Sequence, residues 1–324
     1  MPPPVRPSAD ELRSALAALR EIVSPTPLVE CHALSRRLGA PVWLKCEQFQ
    51  PIGAFKIRGA WTALSRLSPE ARAAGVITHS SGNHAQAIAF AARRLGIEAV
   101  IVMPESAPAV KVEGVRRLGA EIVFVAPNPA ARSERADQLA AQRGLTLVPP
   151  YDDPHIVLGQ GTCALEILDA RDDIGTILAP IGGGGLLAGT CAAVRAFRPE
   201  TRVIGVEPAL VPKLSAALAA GEPTAVEARE SVADGLLPVS VGRLTFDYIR
   251  ASVREAASVS EREIQEAMRM LYWECGLRVE PSGAVACAAL LAGRVRPEGG
   301  GPAAAIVSGG NVDRDRFDAL VGPA

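Results

Sequence analysis

Lys56 is the first residue of this 324-residue chain that could carry chemistry. It lies in the segment GAFKIRGA (53–60), after a Pro-Ile-Gly turn, beside the ring of Phe55 and at the start of a predicted helix. A lysine amine attacks a carbonyl only when it is unprotonated, and partial burial and a helix N-terminus both lower its pKa. A lysine is more often a surface residue, so the motif permits nucleophilic chemistry without proving it.

A second candidate joins an apolar segment to an alanine-rich one: Ser80, Ser81, Gly82, Asn83 and His84. Backbone N–H groups at such a strand-to-helix junction converge on a point that favours an anion. The simpler alternative is a capped helix with Ser81 or Asn83 as N-cap. A Ser-His hydrolase is less favoured because the G-x-S-x-G motif is absent.

A third candidate is a run of four glycines, Gly182, Gly183, Gly184 and Gly185, followed by Leu186. Consecutive glycines cost conformational entropy, so a simple turn rarely needs them, whereas backbone that wraps closely around a phosphate does. The run lacks the G-K-[ST] ending of a P-loop and the full G-x-G-x-x-G dinucleotide pattern. We therefore expect a phosphate monoester rather than a nucleotide.

Ser308 opens a fourth segment, SGGNVD (308–313), at the end of the last apolar run, AAAIV. A hydroxyl at the carboxyl end of a strand can face a ligand bound at the edge of the sheet. The simpler alternative is a strand-to-helix turn with Ser308 as an exposed hydroxyl.

Short β-rich runs alternate with alanine-rich helical stretches and must position these four segments. The runs are VWLKCE from Val42, GVITHS from Gly75, EAVIVM from Glu98, EIVFV from Glu121, TILAP from Thr176 and RVIGVEP from Arg202. This alternation predicts an α/β protein with parallel-type sheets flanked by helices. The compact repeat between residues 75 and 148 predicts a smaller lobe, with the ligand between the two lobes.

The composition excludes several classes of protein. Hydrophobic residues make up 48% of the chain and the formal net charge is -1, which does not favour nucleic acid as a partner. Prolines and charges near the amino terminus do not resemble a signal peptide, and no apolar run reaches spanning length, so we expect a cytoplasmic protein with no membrane partner. The six cysteines and four histidines show no metal-ligand spacing, and we expect buried, reduced cysteines.

Taken in order, the motifs GAFKIRGA, SSGNHAQA, GQGT (159–162), GGGGLLAG, EPSG (280–283) and SGGNVD resemble the serine/threonine dehydratase and serine racemase family. The resemblance covers the chain from about residue 26 to residue 313 and implies pyridoxal 5'-phosphate (PLP) as cofactor. It implies a two-domain, fold-type II (tryptophan synthase β-like) structure. Residues 1–73 and 153–324 would form the large cofactor-binding domain and residues 74–152 the small mobile domain. A homodimer or homotetramer is typical of the family.

The resemblance also assigns roles to the cofactor-binding residues. Lys56 would hold PLP as a Schiff base, with Phe55 packed on the ring. The glycines Gly182 to Gly185, with Leu186, would cradle the phosphate. Asn83 would hydrogen-bond the ring hydroxyl, and Ser308 would face the pyridine nitrogen, where a neutral hydroxyl leaves a weaker electron sink that suits prompt β-elimination.

For the substrate, the resemblance implies that Ser80, Ser81, Gly82, Asn83 and His84 receive the carboxylate. Lys56 would take the α-proton, and Ser81 would act as acid or base on the opposite face. Arg132 would close over the substrate, although a solvated helix arginine is an equal alternative.

The implied reaction converts L-threonine or L-serine to a 2-oxo acid and ammonia. A serine racemase and a 3-hydroxyaspartate dehydratase are alternatives with the same cofactor, and Ser81 is typical of the racemase-like branch. A non-catalytic PLP-binding protein is an alternative from a different class, as is a nucleotide-binding dehydrogenase, which the absent dinucleotide pattern disfavours.

One position departs from the racemase-like pattern. Glu207 matches one acidic ligand of that branch's divalent-cation site, but the second acidic position holds Lys213. A fixed ammonium repels a cation and could itself pair with Glu207. We therefore predict an enzyme without metal dependence; the alternative is that Lys213 points into water.

Overall fold

Two β-sheets organise the chain in a computed structural model that describes residues 6–80, 82–107, 109–127 and 129–323. The strands in this part of the chain are β1 (Leu28–Glu30), β2 (Val42–Cys46), β3 (Val76–His79), β4 (Ala99–Pro104), β5 (Glu121–Val125), β6 (Thr146–Leu147), β7 (Thr176–Pro180), β8 (Arg202–Pro208), β9 (Ala256–Val259) and β10 (Ala303–Val307). Each β-rich run predicted from the sequence overlaps one of them, and the run from Glu98 ends one residue before β4 does.

The larger sheet has the order β1-β2-β10-β7-β8-β9. Its pairs are parallel except for the edge strand β1, which runs antiparallel to β2. All five residues of β10 are buried, as are all five of β7, which is typical of parallel strands covered on both faces. The smaller sheet, β5-β4-β3-β6, is parallel throughout.

Helices cover both sheets. Their bounds are α1 (Ala9–Leu19), α2 (His32–Leu38), α3 (Lys56–Ser65), α4 (Pro69–Ala74), α5 (Asn83–Leu95), α6 (Ala109–Arg117), α7 (Pro129–Arg143), α8 (Pro154–Ala170), α9 (Gly185–Phe197), α10 (Lys213–Ala220), α11 (Arg243–Ile249), α12 (Glu261–Trp273), α13 (Pro281–Leu291) and α14 (Arg314–Val321). Within the described residues, none is long and apolar enough to cross a membrane.

The GQGT segment serves helix packing. A Cβ atom on Gly159 would lie 2.3 Å from the carbonyl oxygen of Arg58, and one on Gly161 would lie 2.9 Å from that of Gly189. Glycine therefore allows α8 to approach both α3 and α9 closely.

A buried ionic network fixes α3, the helix that carries Lys56. The guanidinium of Arg58, which is fully buried, donates two 2.7 Å hydrogen bonds to the carboxylate of Glu47 and one of the same length to Glu166. Nζ of Lys45 donates to Glu166 at 2.6 Å. Two cations thus neutralise two anions inside the protein, and burial of such charges is tolerated only when they are paired in this way.

Candidate active site

Lys56 is the first residue of α3 and is partly buried. Its Nζ donates a 2.6 Å hydrogen bond to the carbonyl oxygen of Pro150, which follows β6, and lies 5.4 Å from the centre of the Phe55 ring. No carboxylate pairs with it among the described residues, and desolvation lowers the pKa of Lys56 to about 8. A measurable fraction of this amine is therefore neutral near pH 7, as a nucleophile or base requires.

The turn after β10 lies beside Lys56. The backbone N–H of Phe55 donates to the carbonyl of Ser308 at 3.1 Å, and Ala54 forms an isolated bridge with Gly309. The Ser308 side chain is buried, with only a long 3.4 Å contact to the carbonyl of Ser282, so it is not the exposed hydroxyl of the simpler alternative.

The glycine run joins β7 to α9 and is therefore adjacent to the turn after β10, because β7 and β10 are neighbouring strands. Gly184 is the N-cap of α9 with a φ of 105°, and no side chain caps the helix. A Cβ atom on Gly184 would lie 2.7 Å from Oγ1 of Thr245, and that hydroxyl donates to the carbonyl of Gly183 at 2.8 Å. The amides of the first turn are thus left for an anion.

Tyr151 packs across this loop. A Cβ atom on Gly183 would lie 2.3 Å from the tyrosine ring, so only glycine permits this approach. The neighbouring Asp152 accepts hydrogen bonds from the backbone N–H groups of Arg243 and Thr245, each at 3.1 Å. The segment that follows β6 therefore contacts Lys56, the glycine loop itself and the start of α11, whose Thr245 hydrogen-bonds that loop.

Asn83 begins α5, and its side chain is hydrogen-bonded by one residue at the start of α13 and one in the turn after β10. Its Nδ2 donates to Oε1 of Glu280 at 2.6 Å, and its Oδ1 accepts from Nδ2 of Asn311 at 2.8 Å. Asn311 also donates to the carbonyl of Ile52 at 2.7 Å. The second N–H of the Asn83 amide remains available to a ligand.

Glu280 is a buried carboxyl group that the sequence did not single out. It is 1% exposed, its Oε2 has no hydrogen-bond partner, and desolvation raises its pKa to about 7. A Cβ atom on Gly309 would lie 2.2 Å from Oε1 of Glu280, so the glycine makes room for the carboxyl group. The available signal was the acidic residue in the EPSG motif.

The start of α5 offers a second set of backbone N–H groups. Its N-cap is Gly82, with no capping side chain, so the alternative of Ser81 or Asn83 as N-cap is wrong. Ser80 accepts a 3.3 Å hydrogen bond from the N–H of Gly82 through its hydroxyl. Ser81 lies outside the described residues. An uncapped helix start with these N–H groups suits a carboxylate.

His84 is buried, with Nε2 3.3 Å from the carbonyl of Val148 and Nδ1 unpartnered. Desolvation holds its pKa well below the ordinary value, so the ring is neutral. It contributes packing, and its backbone belongs to the first turn of α5.

Lys111, on α6, is a further residue missed from the sequence. Its Nζ lies 3.5 Å from the position that a Cβ atom on Gly82 would take, and it donates to the carboxylate of Asp234 at 2.7 Å. Arg316 approaches the same carboxylate at 3.5 Å. The sequence did offer one indication, because lysine is rare in this chain: only four of the 34 basic residues are lysines. In the structure none of the four is fully exposed.

Arg132, on α7, is half-buried rather than fully solvated, and its Nε has no partner. Desolvation lowers its pKa. His79, the last residue of β3, also has a lowered pKa, first because of desolvation and then because of the Arg132 charge. Arg132 is thus near the end of β3, where the connection to α5 begins. No hydrogen bond joins it to Lys56, Asn83 or the glycine run within the described residues.

The segment after β6 contacts both Lys56, whose pKa is lowered, and the glycine loop before the uncapped α9. Comparison with known proteins assigns a family to this arrangement. A family model described as pyridoxal-phosphate dependent enzyme matches residues 19–309. The chain belongs to this family. The sequence resemblance, the α/β fold and PLP as cofactor are thereby confirmed.

Individual relatives within this PLP-dependent family carry different names. The chain is 39% identical to a β-hydroxyaspartate dehydratase of Paracoccus denitrificans, covering 96% of this chain and 98% of the relative. It is 43% identical to an L-threonine ammonia-lyase of Geobacter sulfurreducens, covering 94% and 75%. The structure of maize serine racemase superimposes with a TM-score of 0.92 at 36% identity, covering 96% and 95%.

The residues of the site fit PLP chemically. The amine of Lys56 suits its aldehyde, and the glycine run before the uncapped α9 suits its phosphate. The free N–H of Asn83 suits an oxygen on its ring, and Ser308 presents a buried neutral hydroxyl. The described residues are therefore chemically compatible with the aldehyde, the phosphate and the ring oxygen of PLP.

Lys213 requires a correction. It is fully buried, so the alternative that it points into water is wrong, but its Nζ does not hydrogen-bond Glu207 either. It donates to the carbonyls of Leu236 at 2.8 Å and Val211 at 3.3 Å. Glu207 instead accepts from the N–H groups of Leu214 and Ser215, at 2.7 and 3.0 Å, because it caps the start of α10.

Proposed function

We propose that this chain is a PLP-dependent ammonia-lyase that converts L-threonine or L-serine to a 2-oxo acid and ammonia. The observation that carries the proposal is the Lys56 amine, whose pKa is lowered to about 8 and which lies beside the turn that holds Ser308. Relatives named L-threonine ammonia-lyase, at 36% and 43% identity, support the same class of reaction.

PLP, when bound, withdraws electrons from the α-carbon of an amino acid and so makes its proton removable. In the proposed site Lys56 would hold the cofactor with Phe55 beside it, and the Gly182–Gly185 loop with Leu186 would hold its phosphate through backbone N–H groups. Asn83 would donate to the ring oxygen from an amide that Glu280 and Asn311 already fix in place.

The substrate carboxylate binds the N–H groups at the start of α5, with the nearby Lys111 ammonium adding positive charge. The unprotonated fraction of Lys56, which the pKa lowered to about 8 makes appreciable near pH 7, would accept the α-proton at Nζ. The buried, neutral Ser308 hydroxyl would face the cofactor without adding a charge, so the cofactor would supply a weaker electron sink, which suits β-elimination.

The direct test is 2-oxo acid release by purified holoenzyme from L-threonine, L-serine, both 3-hydroxyaspartate stereoisomers and phenylserine. We expect release from L-threonine or L-serine, and none from a Lys56→Ala variant. D-serine formation without 2-oxo acid would favour the racemase instead. A holoenzyme that binds PLP covalently but transforms no substrate would overturn the proposal in favour of a non-catalytic PLP-binding protein.

A 3-hydroxyaspartate dehydratase is the second candidate, and Arg132 is the observation that favours it. Its unpartnered Nε and half-buried guanidinium near His79 offer a cation for a second carboxylate. If this candidate is right, Arg132→Gln lowers kcat/KM for 3-hydroxyaspartate at least about tenfold more than for L-threonine. Arg135→Gln, an exposed arginine on the same helix, is the matched control. Equal losses for both substrates would contradict the role.

The two separate sheets support the proposal that residues 1–73 and 153–324 form the large domain and residues 74–152 the small mobile domain. A homodimer or homotetramer and a cytoplasmic location are further proposals. The six cysteines are free thiols, which fits a reducing compartment. Light scattering of the purified protein and fractionation of the cells test these two points.

A further inference from the structure

Three sulfur atoms form a nearly equilateral triangle in the large-sheet half of the protein. Sγ of Cys31 lies 3.5 Å from Sγ of Cys275 and 4.0 Å from Sδ of Met270. The third edge, from Cys275 to Met270, is 3.9 Å. Cys31 immediately precedes α2, whereas Met270 and Cys275 belong to the end of α12 and the turn after it, so the fold brings together residues that are far apart in sequence.

The size of this triangle matches a metal site. The point that is equally far from the three sulfur atoms lies about 2.2 Å from each of them. This distance is close to the roughly 2.3 Å of a zinc–thiolate bond. An ion at that point has three sulfur ligands without movement of the backbone.

The ligand types select the ion. Thiolate and thioether sulfur are soft ligands, and the two together favour Cu(I) over zinc, which prefers four ligands drawn from cysteine, histidine and carboxylate. Among the residues that the structure describes, no group of three or more histidine, cysteine, aspartate or glutamate side chains could hold a metal. Two cysteines and one methionine fall outside that set of ligands, and their three soft sulfur atoms suit a three-coordinate soft ion.

The triangle is also accessible. Cys31 and Met270 are buried at 1% and 4% exposure, but Cys275 is partly exposed and gives a path from solvent. We propose that Cys31, Met270 and Cys275 bind one Cu(I) ion per chain. Binding releases the two thiol protons to solvent, forms three sulfur–copper bonds and transfers no electron.

The test uses anaerobic, reduced holoenzyme loaded with one equivalent of Cu(I) and challenged with a chromogenic Cu(I) chelator. We expect one copper per chain to be retained and X-ray absorption to show three sulfur neighbours. Cys31→Ser and Cys275→Ser weaken retention at least about 100-fold, and Met270→Leu, which keeps the volume, weakens it about tenfold. The control Cys191→Ala removes a buried cysteine on α9 and leaves retention unchanged.

Three results would overturn the proposal. One is equal retention by Cys275→Ser and the unaltered protein. Another is an absorption spectrum dominated by nitrogen or oxygen neighbours. The third is a Cys31–Cys275 disulfide formed in air by a protein that retains no copper when reduced, which would identify a thiol pair instead. Because Met270→Leu alters neither thiol, it remains informative if a cysteine variant fails to fold.

Discussion

The amine of Lys56 donates a 2.6 Å hydrogen bond to the backbone carbonyl of Pro150, and no charged group within the described part of the chain pairs with it. The carbonyl orients the amine without stabilising its ammonium form as a carboxylate would. Desolvation therefore controls the charge of Lys56 and lowers its pKa to about 8.

The first prediction concerns PLP uptake by the apoenzyme. Because only the neutral amine attacks an aldehyde, the uptake rate rises about tenfold per pH unit below a pKa of about 8 and levels off above it. Stopped-flow absorbance measures this rate. The control Lys56→Arg forms no bond that borohydride can reduce. A midpoint near pH 10 would show that the amine is not desolvated.

The second prediction concerns the glycine loop. Gly184→Ala forces a methyl group to within 2.7 Å of Oγ1 of Thr245 at a φ of 105°, so we expect PLP affinity to fall at least about tenfold. Equilibrium dialysis measures the affinity. Gly221→Ala is the matched control, because Gly221 also has a positive φ but no atom near its Cβ position. Equal effects of the two substitutions would make backbone strain, not crowding at Thr245, the cause.

The third prediction concerns the network below α3. Arg58→Met leaves Lys45 as the one cation of this network beside the buried carboxylates of Glu47 and Glu166, and we expect the free energy of unfolding to fall by about 3–5 kcal/mol. Urea denaturation measures this change. Arg262→Met removes an exposed pair with Glu266, which solvent screens, and should lower the free energy of unfolding far less. Similar losses in both variants would contradict the structural role of the network.

The fourth prediction concerns pH. Burial raises the pKa of Glu47, but the Arg58 guanidinium outweighs burial and lowers it to about 2, from an ordinary value of 4.5. Its contribution to stability is therefore present above pH 4.5 and is lost as the pH falls toward 2. Glu280, with a pKa raised to about 7, has the opposite sign: its contribution is present below pH 4.5 and is lost as the pH rises through 7.

Urea midpoints measured across this pH range separate the two carboxyl groups. Glu47→Gln should flatten the acid limb of the stability profile, and Glu280→Gln the limb near neutrality. A profile that neither substitution alters would contradict both assignments.

The fifth prediction is that activity does not depend on a divalent cation. The buried Lys213 ammonium already donates to the carbonyls of Val211 and Leu236. Its positive charge would repel a divalent cation bound beside it. Chelation followed by dialysis should leave kcat/KM unchanged. Lys213→Met leaves both carbonyls without this donor and should cost about 1–3 kcal/mol of stability. A loss of activity that magnesium restores would contradict the prediction.

The sequence predicted the strands well because buried parallel strands are short apolar runs, and β7 and β10 are fully buried. It also placed Lys56 at a helix start. It did not predict the contacts of Tyr151 with the glycine loop or of Glu280 with Asn83, because these join distant segments and depend on tertiary packing. The position of Lys213 was misjudged for a related reason: its partners are carbonyl groups, which every residue has and no pattern distinguishes.

The scarcity of lysine has a practical consequence for chemical labelling. Arginine supplies 30 of the 34 basic side chains, while Lys45, Lys111 and Lys213 are buried and engaged in hydrogen bonds. An acylating reagent therefore meets few competing side-chain amines on the protein surface. In the apoenzyme, modification at Lys56 becomes a site-specific covalent probe that mass spectrometry can read, and protection by PLP measures cofactor occupancy in a crude mixture.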